Sequence, residues 1–197
     1  MFDVCAITTL HKEYDNRIYY RELKVLNEFG LSCSIIAPWN EYSDSSIKLI
    51  SVLYYKQRIY RVLNWYSISK KVINTNAKTF IIHDPDFLLV GLLLKVFNKK
   101  IIYDCHENIT EDILYGKDWI PKLLRKPLSV AFDIIQNLCV KNFDGVICVV
   151  PHQKNKFRNL NQKLLLYRNY CATIPKIVKI KDYTKIVYTG SISENYG

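Results

Sequence analysis

The four histidines of this chain each follow a short apolar run: His11 comes after VCAI, His83 after TFII, His106 after KIIYDC and His152 after GVICVV. Polar groups gather at the same places. Thr8, Thr9, Tyr14, Asp15 and Arg17 surround His11, Asp84 and Asp86 follow His83, and Asp104, Glu107 and Asn108 flank His106. Histidine, carboxylate and hydroxyl groups hydrogen-bond hydroxyl-rich ligands, and histidine or arginine can hold a phosphate. Arg17, near the start of a helical pattern, is placed either to bind such a phosphate or to pair with Asp15.

Several other chemistries do not fit the spacing. The first apolar run is not followed by GxGxxG, and the sequence contains no GxxxxGK[ST], HExxH or GxSxG. His83–Asp84 and His106–Glu107 are neighbours in extended segments, so their side chains point apart and no metal site is expected. The six cysteines form no CxxC pair. Cys5, Cys33, Cys105 and Cys148 lie in apolar runs and read as small buried hydrophobes of a reducing compartment.

These residues need a scaffold that brings the ends of separate runs together. Strands are predicted over Phe2–Thr8, Leu31–Ala37, Ile47–Tyr54, Thr79–His83, Lys100–Asp104, Gly145–Val150, Leu164–Arg168 and Lys185–Thr189. Helices are predicted over Arg17–Phe29 (with Gly30 as its C-cap), Gln57–Ile73, Phe87–Phe97, Pro121–Asn142 and Gln153–Asn159, and residues 107–118 read as a polar loop or broken helix. The first helix is expected to bury Ile18, Leu23, Leu26 and Phe29. Alternating strands and helices imply parallel pairing with right-handed crossovers, and uninterrupted apolar strands imply helices on both faces. The expected fold is therefore a Rossmann-like three-layer α/β/α domain with a mostly parallel sheet. Ligands in such sheets bind beyond the carboxyl ends of the strands, where all four histidines fall.

The 197 residues suit one such domain over 1–170. Residues 171–184 read as a linker, and 185–197 as the start of a second domain. Lys and Arg number 28 against 18 Asp and Glu, a net charge of +10, which favours anionic partners: phosphorylated substrates, anionic lipid or nucleic acid. The basic residues are spread out and form no nucleic-acid motif, so nucleic acid is not expected. The N-terminus has no secretory pattern, and no window is apolar enough to span a membrane. A cytoplasmic protein, peripheral at most on the inner face of the plasma membrane, is expected.

Five segments, in order, resemble family-4 glycosyltransferases of bacterial surface-polysaccharide type. They are TTLHKEYDNRIYYRELKVLNEFGLSCSIIAP (with His11, Asp15, Arg17, Ile18, Glu22 and Gly30), IIHDPDFLLVGLLLK, KKIIYDCHEN, LLLYRNY and KIVYTGSISENYG. FDGVICVV resembles a further strand of the family but is followed by Pro151, where other members usually read V-S. The resemblance implies the acceptor-side half of a two-domain GT-B enzyme. Such an enzyme transfers a hexosyl or other sugar, with retention, from a nucleotide sugar to a glycan or lipid-linked acceptor, without metal or other cofactor. It implies that His106 lies against the transferred sugar as the catalytic residue. His11, Tyr14, Asp15, Arg17, His83, Asp86, Glu107 and Asn108 then contact substrates, and Gly190 faces the donor diphosphate. The donor-binding half would lie beyond this sequence, so residues 1–197 alone are expected to transfer no sugar. The alternative is a non-catalytic α/β module that binds a protein partner or an anionic surface.

One further stretch, KDWIPKLLRKPLSVAF, interleaves Trp119, Ile120, Leu123 and Leu124 with Lys117, Lys122, Arg125 and Lys126. A basic amphipathic segment with tryptophan suits a membrane interface, with Trp119, Lys122, Arg125 and Lys126 facing the lipid. The same pattern also describes a half-buried helix with snorkelling lysines.

Overall fold

The computed structural model describes residues 2–11, 14–38, 46–53 and 58–169, except the side chains of 58–64. The expected linker, the strand over Lys185–Thr189 and Gly190 lie outside the described residues.

Seven strands form one all-parallel sheet: β1 (Val4–Ile7), β2 (Cys33–Ala37), β3 (Ile47–Ser51), β4 (Thr79–Ile82), β5 (Lys100–Cys105), β6 (Gly145–Cys148) and β7 (Leu164–Leu166). Their spatial order is β3-β2-β1-β4-β5-β6-β7. The chain winds outward from β1 to β3, then crosses back to place β4 on the other side of β1. The β1/β4 boundary is thus the topological switch point, where the connecting segments diverge and leave a crevice. The fold is Rossmann-like, as the strand–helix alternation predicts.

A helical segment covers the β1–β3 end of one face. It runs as a π-helix over Asn16–Leu23 and continues as α1 (Lys24–Glu28). Ile18, Tyr19 and Leu23 pack there against Val4, Ala6, Ile35 and Ile81. The opposite face is covered by α2 (Arg58–Thr75), α3 (Leu88–Val96, entered through a 3-10 turn at Pro85–Phe87) and α5 (Lys122–Asn142). Ile68, Val72, Leu88, Leu94, Cys139 and Val140 from these helices meet Cys5, Ile7, Phe80, Ile82 and Tyr103 from the strands. Between β5 and α5 the chain forms α4 (Ile109–Glu111) and a π-helical turn over Asp112–Gly116, and α6 (Pro151–Phe157) joins β6 to β7.

Local sequence explains the boundaries. Asp15 caps the first helical segment through the backbone N–H groups of Arg17 and Ile18. Gly30 ends α1 at φ 84°, and the N–H groups of Gly30 and Leu31 close onto Asn27 O and Leu26 O. Gly91 lets α3 approach the sheet, because a Cβ there would stand 2.7 Å from both Ile82 Cδ1 and Phe143 Cζ. Phe29 departs from expectation: it is 82% exposed, since regular helix ends at Glu28 and the wider π turns upstream shift the buried face away from it. The five described cysteines are all buried and free, and burial pushes the Cys5 thiol up to about 12.

Candidate functional site

The side-chain period of two along a strand decides which groups meet at the sheet edge. On β4 and the residue after it, Ile81 and His83 share one face, and on β5 Ile102, Asp104 and then His106 share the same one. That face is the one covered by the π-helical segment, which supplies Arg17 and Glu22. These residues are five apart and would diverge on a regular α-helix. The wider π turn brings them together, with Arg17 Nε 3.5 Å from Glu22 Oε1.

Asp104, fully buried, is the hub. Arg17 grips its carboxylate bidentately, with Nη2 2.6 Å from Oδ1 and Nε 2.5 Å from Oδ2. His83 Nδ1 lies 3.1 Å from Oδ2 and His106 Nδ1 3.4 Å from the same oxygen. Burial alone would raise the Asp104 pKa, but hydrogen bonds from His106, His83 and Arg17 prevail and hold it well below the usual carboxylate range. Glu22 goes the other way: burial and the nearby Asp104 charge raise its pKa well above that range. Neither Glu22 oxygen makes a well-aligned hydrogen bond, and His83 Nε2 stands 3.4 Å away. Burial keeps His83 neutral by lowering its pKa, against the pull of Asp104.

Across the switch point, Asp84 ties β4 to the exit of β1. It accepts a hydrogen bond from the backbone N–H of Thr9 at 2.5 Å, and the hydroxyls of Thr8 and Thr9 each donate to it at 3.2 Å. This clamp fixes the turn that presents His11. His11 Nδ1 lies 3.1 Å from Asp15 Oδ2, and His11 Nε2 lies 3.2 Å from His106 Nε2. His106 Nδ1 in turn faces the backbone carbonyl of Asp104 at 3.2 Å. Carboxylate and carbonyl oxygens only accept, so each Nδ1 carries its hydrogen. Two neutral rings would then point lone pairs at each other. A hydrogen bond between the two Nε2 atoms therefore needs an added proton on one of the rings. Burial works against charging His106, but Asp104 outweighs it and raises its pKa.

His11, Asp15, Arg17 and His106 line one cavity of about 300 Å³ with Asn16, Arg21 and Asn169. Arg21 and Asn169 were not expected at the site, although each lies in one of the resembling segments, Asn169 in LLLYRNY. Their place follows from β7: Arg17 Nη1 donates to Asn169 Oδ1 at 2.7 Å and Arg21 Nη1 to the same oxygen at 3.2 Å. Both guanidinium groups lie over the Tyr167 ring, at 5.4 and 5.0 Å.

The other predicted site residues are distributed differently. His83 is buried behind His106, with ring centroids 6.3 Å apart, and reaches Asp104 and Glu22 rather than the cavity. Tyr14, at φ 55°, stacks edge-on against Tyr19 at 5.0 Å. Asp86 and Glu107 border an apolar groove of about 640 Å³ with Leu10, Trp65, Trp119 and Phe132. Glu107 also borders a polar cavity of about 380 Å³ that contains Asn108 and His152. Of the basic residues predicted to face lipid, Arg125 turns inward and donates to the Ile120 carbonyl at 3.0 Å.

Donor atoms of His83, Asp104 and His106 lie within 4.8 Å of one another, a spacing a metal ion could use. The donor set does not suit a divalent cation, because both Asp104 oxygens are engaged by the Arg17 guanidinium, which would repel it. Cys105, beside the site, is no nucleophile: burial pushes its thiol up to about 12.

No protein-family model matches the chain, and none of the curated proteins does. Solved structures do. The sucrose-phosphate synthase of Thermosynechococcus elongatus superposes with a TM-score of 0.61 at 14% identity, over 86% of this chain and 48% of that one. Os79 of O. sativa, solved in complex with UDP, gives 0.55 at 7% identity over 82% of this chain and 51% of its own. Apo UGT2 of Phytolacca americana gives 0.54 at 8% identity over 83% and 51%. This chain shares their Rossmann-like fold and spans about half the length of each.

Proposed function

We propose that this chain is the acceptor-side half of a GT-B glycosyltransferase, resembling family 4 and acting in surface-polysaccharide biosynthesis. The full enzyme transfers a sugar from a nucleotide-sugar donor to a glycan or lipid-linked acceptor. The carrying observation is the His11–His106 pair, with Nε2 atoms 3.2 Å apart at the switch point and beside Arg17 and Arg21. The similarity of fold to a sucrose-phosphate synthase and to Os79, solved in complex with UDP, supports the same reading.

The chemistry follows from charge. Breaking a nucleotide-sugar bond builds negative charge on the leaving diphosphate, and a fixed cation in a water-poor cavity lowers that barrier. His106, whose pKa Asp104 raises, supplies such a cation at the wall of the cavity. Asp104 and Asp15 hold the two rings by their Nδ1 sides. The reading requires no metal, with positive charge supplied by the basic side chains that line the cavity.

The test is sugar transfer by the full-length enzyme from a panel of nucleotide sugars, for wild type and His106→Ala. Transfer by wild type, with turnover greatly reduced in the variant at an unchanged melting temperature, supports the proposal. Full activity in the variant, or no transfer from any donor, defeats it.

A further inference from the structure

The two arginines of the histidine cavity differ in how far their donors and their charge are already committed. Arg17 has given away all but one of its N–H donors: Nε and Nη2 go to the Asp104 carboxylate, and Nη1 serves the Tyr167 carbonyl at 3.2 Å and Asn169 Oδ1 at 2.7 Å. Its charge is matched by that buried carboxylate, and only 7% of its side chain is exposed. Arg21 follows about one turn along the same helical segment and has spent less. Its Nη2 donates to the Arg168 carbonyl at 2.7 Å and its Nη1 to Asn169 Oδ1 at 3.2 Å, both uncharged oxygens. Among the described residues, no carboxylate forms an ion pair with Arg21, and its Nε–H makes no hydrogen bond. Arg21, half-buried in the cavity wall, is a permanent positive charge with donors to spare.

The neighbouring amide is fixed by the same contacts. Asn169 Oδ1 accepts from both guanidinium groups, which settles the orientation of the amide and leaves the N–H donors of its Nδ2 uncommitted. Tyr167 makes the floor. Its ring lies against both guanidinium groups, and its hydroxyl donates to the Arg21 carbonyl at 3.2 Å. Arg21 is thus held by its backbone, by the ring and by Asn169 before any ligand arrives, which lowers the ordering cost of binding. Both residues border the cavity of about 300 Å³. A carboxylate ligand offers two oxygens, which one guanidinium fork already satisfies. A phosphate group offers a further oxygen and so engages the guanidinium and the amide together. The net charge of +10 draws such anions towards the chain.

We propose that Arg21 and Asn169 form the phosphate cradle of this cavity, and that Arg17 holds the cradle rather than the ligand. The sequence pattern points to Arg17 for this task, because it lies near the start of the helical segment. Asp104 and the residues after β7 use up the Arg17 donors and pass the task to Arg21. The cradle sits in the cavity of the transfer reading and takes its place in the full enzyme from that reading, but its chemistry needs neither histidine. Either substrate of a sugar-transfer enzyme, a nucleotide donor or a phosphorylated acceptor, carries the group it fits.

The test is isothermal titration calorimetry of the 197-residue chain with inorganic pyrophosphate at low salt. Saturable binding is expected. Arg21→Gln should weaken it about tenfold or more, and Asn169→Ala severalfold. Lys24→Gln, which removes an exposed charge from the adjoining turn, should leave it unchanged. Asn169 is exposed, so its variant tests the cradle even where Arg21→Gln lowers the melting temperature. Uridine diphosphate and methyl diphosphate, titrated in parallel, separate the two sources. Tighter binding of uridine diphosphate assigns the cradle to the donor, and equal or tighter binding of methyl diphosphate assigns it to a phosphorylated acceptor. Wild type without saturable pyrophosphate binding overturns the proposal. So does binding that both cradle variants leave unchanged, or that Lys24→Gln weakens as much as Arg21→Gln. Binding lost in His106→Ala but kept in Arg21→Gln places the anion on the histidines, which overturns the cradle and leaves the transfer reading standing.

Discussion

His11 and His106 meet Nε2 to Nε2 at 3.2 Å, although 95 residues separate them in the chain. Each ring is held from behind by an acceptor, Asp15 for His11 and the Asp104 carbonyl for His106. Replacing either by alanine breaks this contact. In the full-length enzyme each single variant should lose about ten- to hundredfold in kcat/KM, the scale of one charged hydrogen bond. The double variant should lose little more than the worse single one, since the pair works as a unit. Independent, multiplicative losses would show that the rings act separately.

Arg17 stabilises the site from inside. Its guanidinium occupies both oxygens of Asp104 in a buried place. Arg17→Ala strands that carboxylate, with an expected cost of about 3–5 kcal/mol. Arg17→Lys should recover only part, because one ammonium cannot match the bidentate grip. Denaturant unfolding of the three proteins checks the order, and an alanine variant as stable as wild type would remove Asp104 from its central place.

Glu22 predicts a pH dependence of stability. Its pKa is raised in the folded protein, so between the ordinary value of 4.5 and the raised one the native state binds more protons than the unfolded chain. The stabilising contribution is complete below about 4.5 and is lost as pH rises through the folded pKa. Glu22→Gln keeps a neutral hydrogen-bonding group of similar shape and should flatten this loss, leaving the variant at least as stable as wild type at pH about 8. Asp104 contributes with opposite sign: its depressed pKa stabilises above the ordinary value of 3.8 and is lost below it as the carboxylate protonates. Melting curves across pH for both proteins separate the two.

Gly91 sets the distance between α3 and the sheet. A methyl group there meets Ile82 and Phe143 at 2.7 Å, within a core already packed. Gly91→Ala gains helix propensity but should cost about 1–3 kcal/mol net through overpacking. A rise in melting temperature would mean that the helix shifts outward without penalty.

How much of this was legible beforehand depends on the range of the interaction. Strand and helix alternation, the Asp15 cap, the Gly30 terminus and the position of all four histidines after strands are local, written in periods of two and 3.6 and in turn chemistry. The parallel sheet follows from them. The register of β4 on β5, the π turns of Asn16–Leu23 and the arrival of β7 do not. Those decide that His83 turns inward while His106 faces the cavity, that Glu22 joins Arg17 five residues away, and that Arg21 and Asn169 complete the lining. The sequence by itself determined the kind of fold and the edge at which a site would form, because those depend on neighbours along the chain. Only the tertiary structure decided that His11 and His106 meet, because the geometry between distant loops is set by the whole sheet and not by any segment of it.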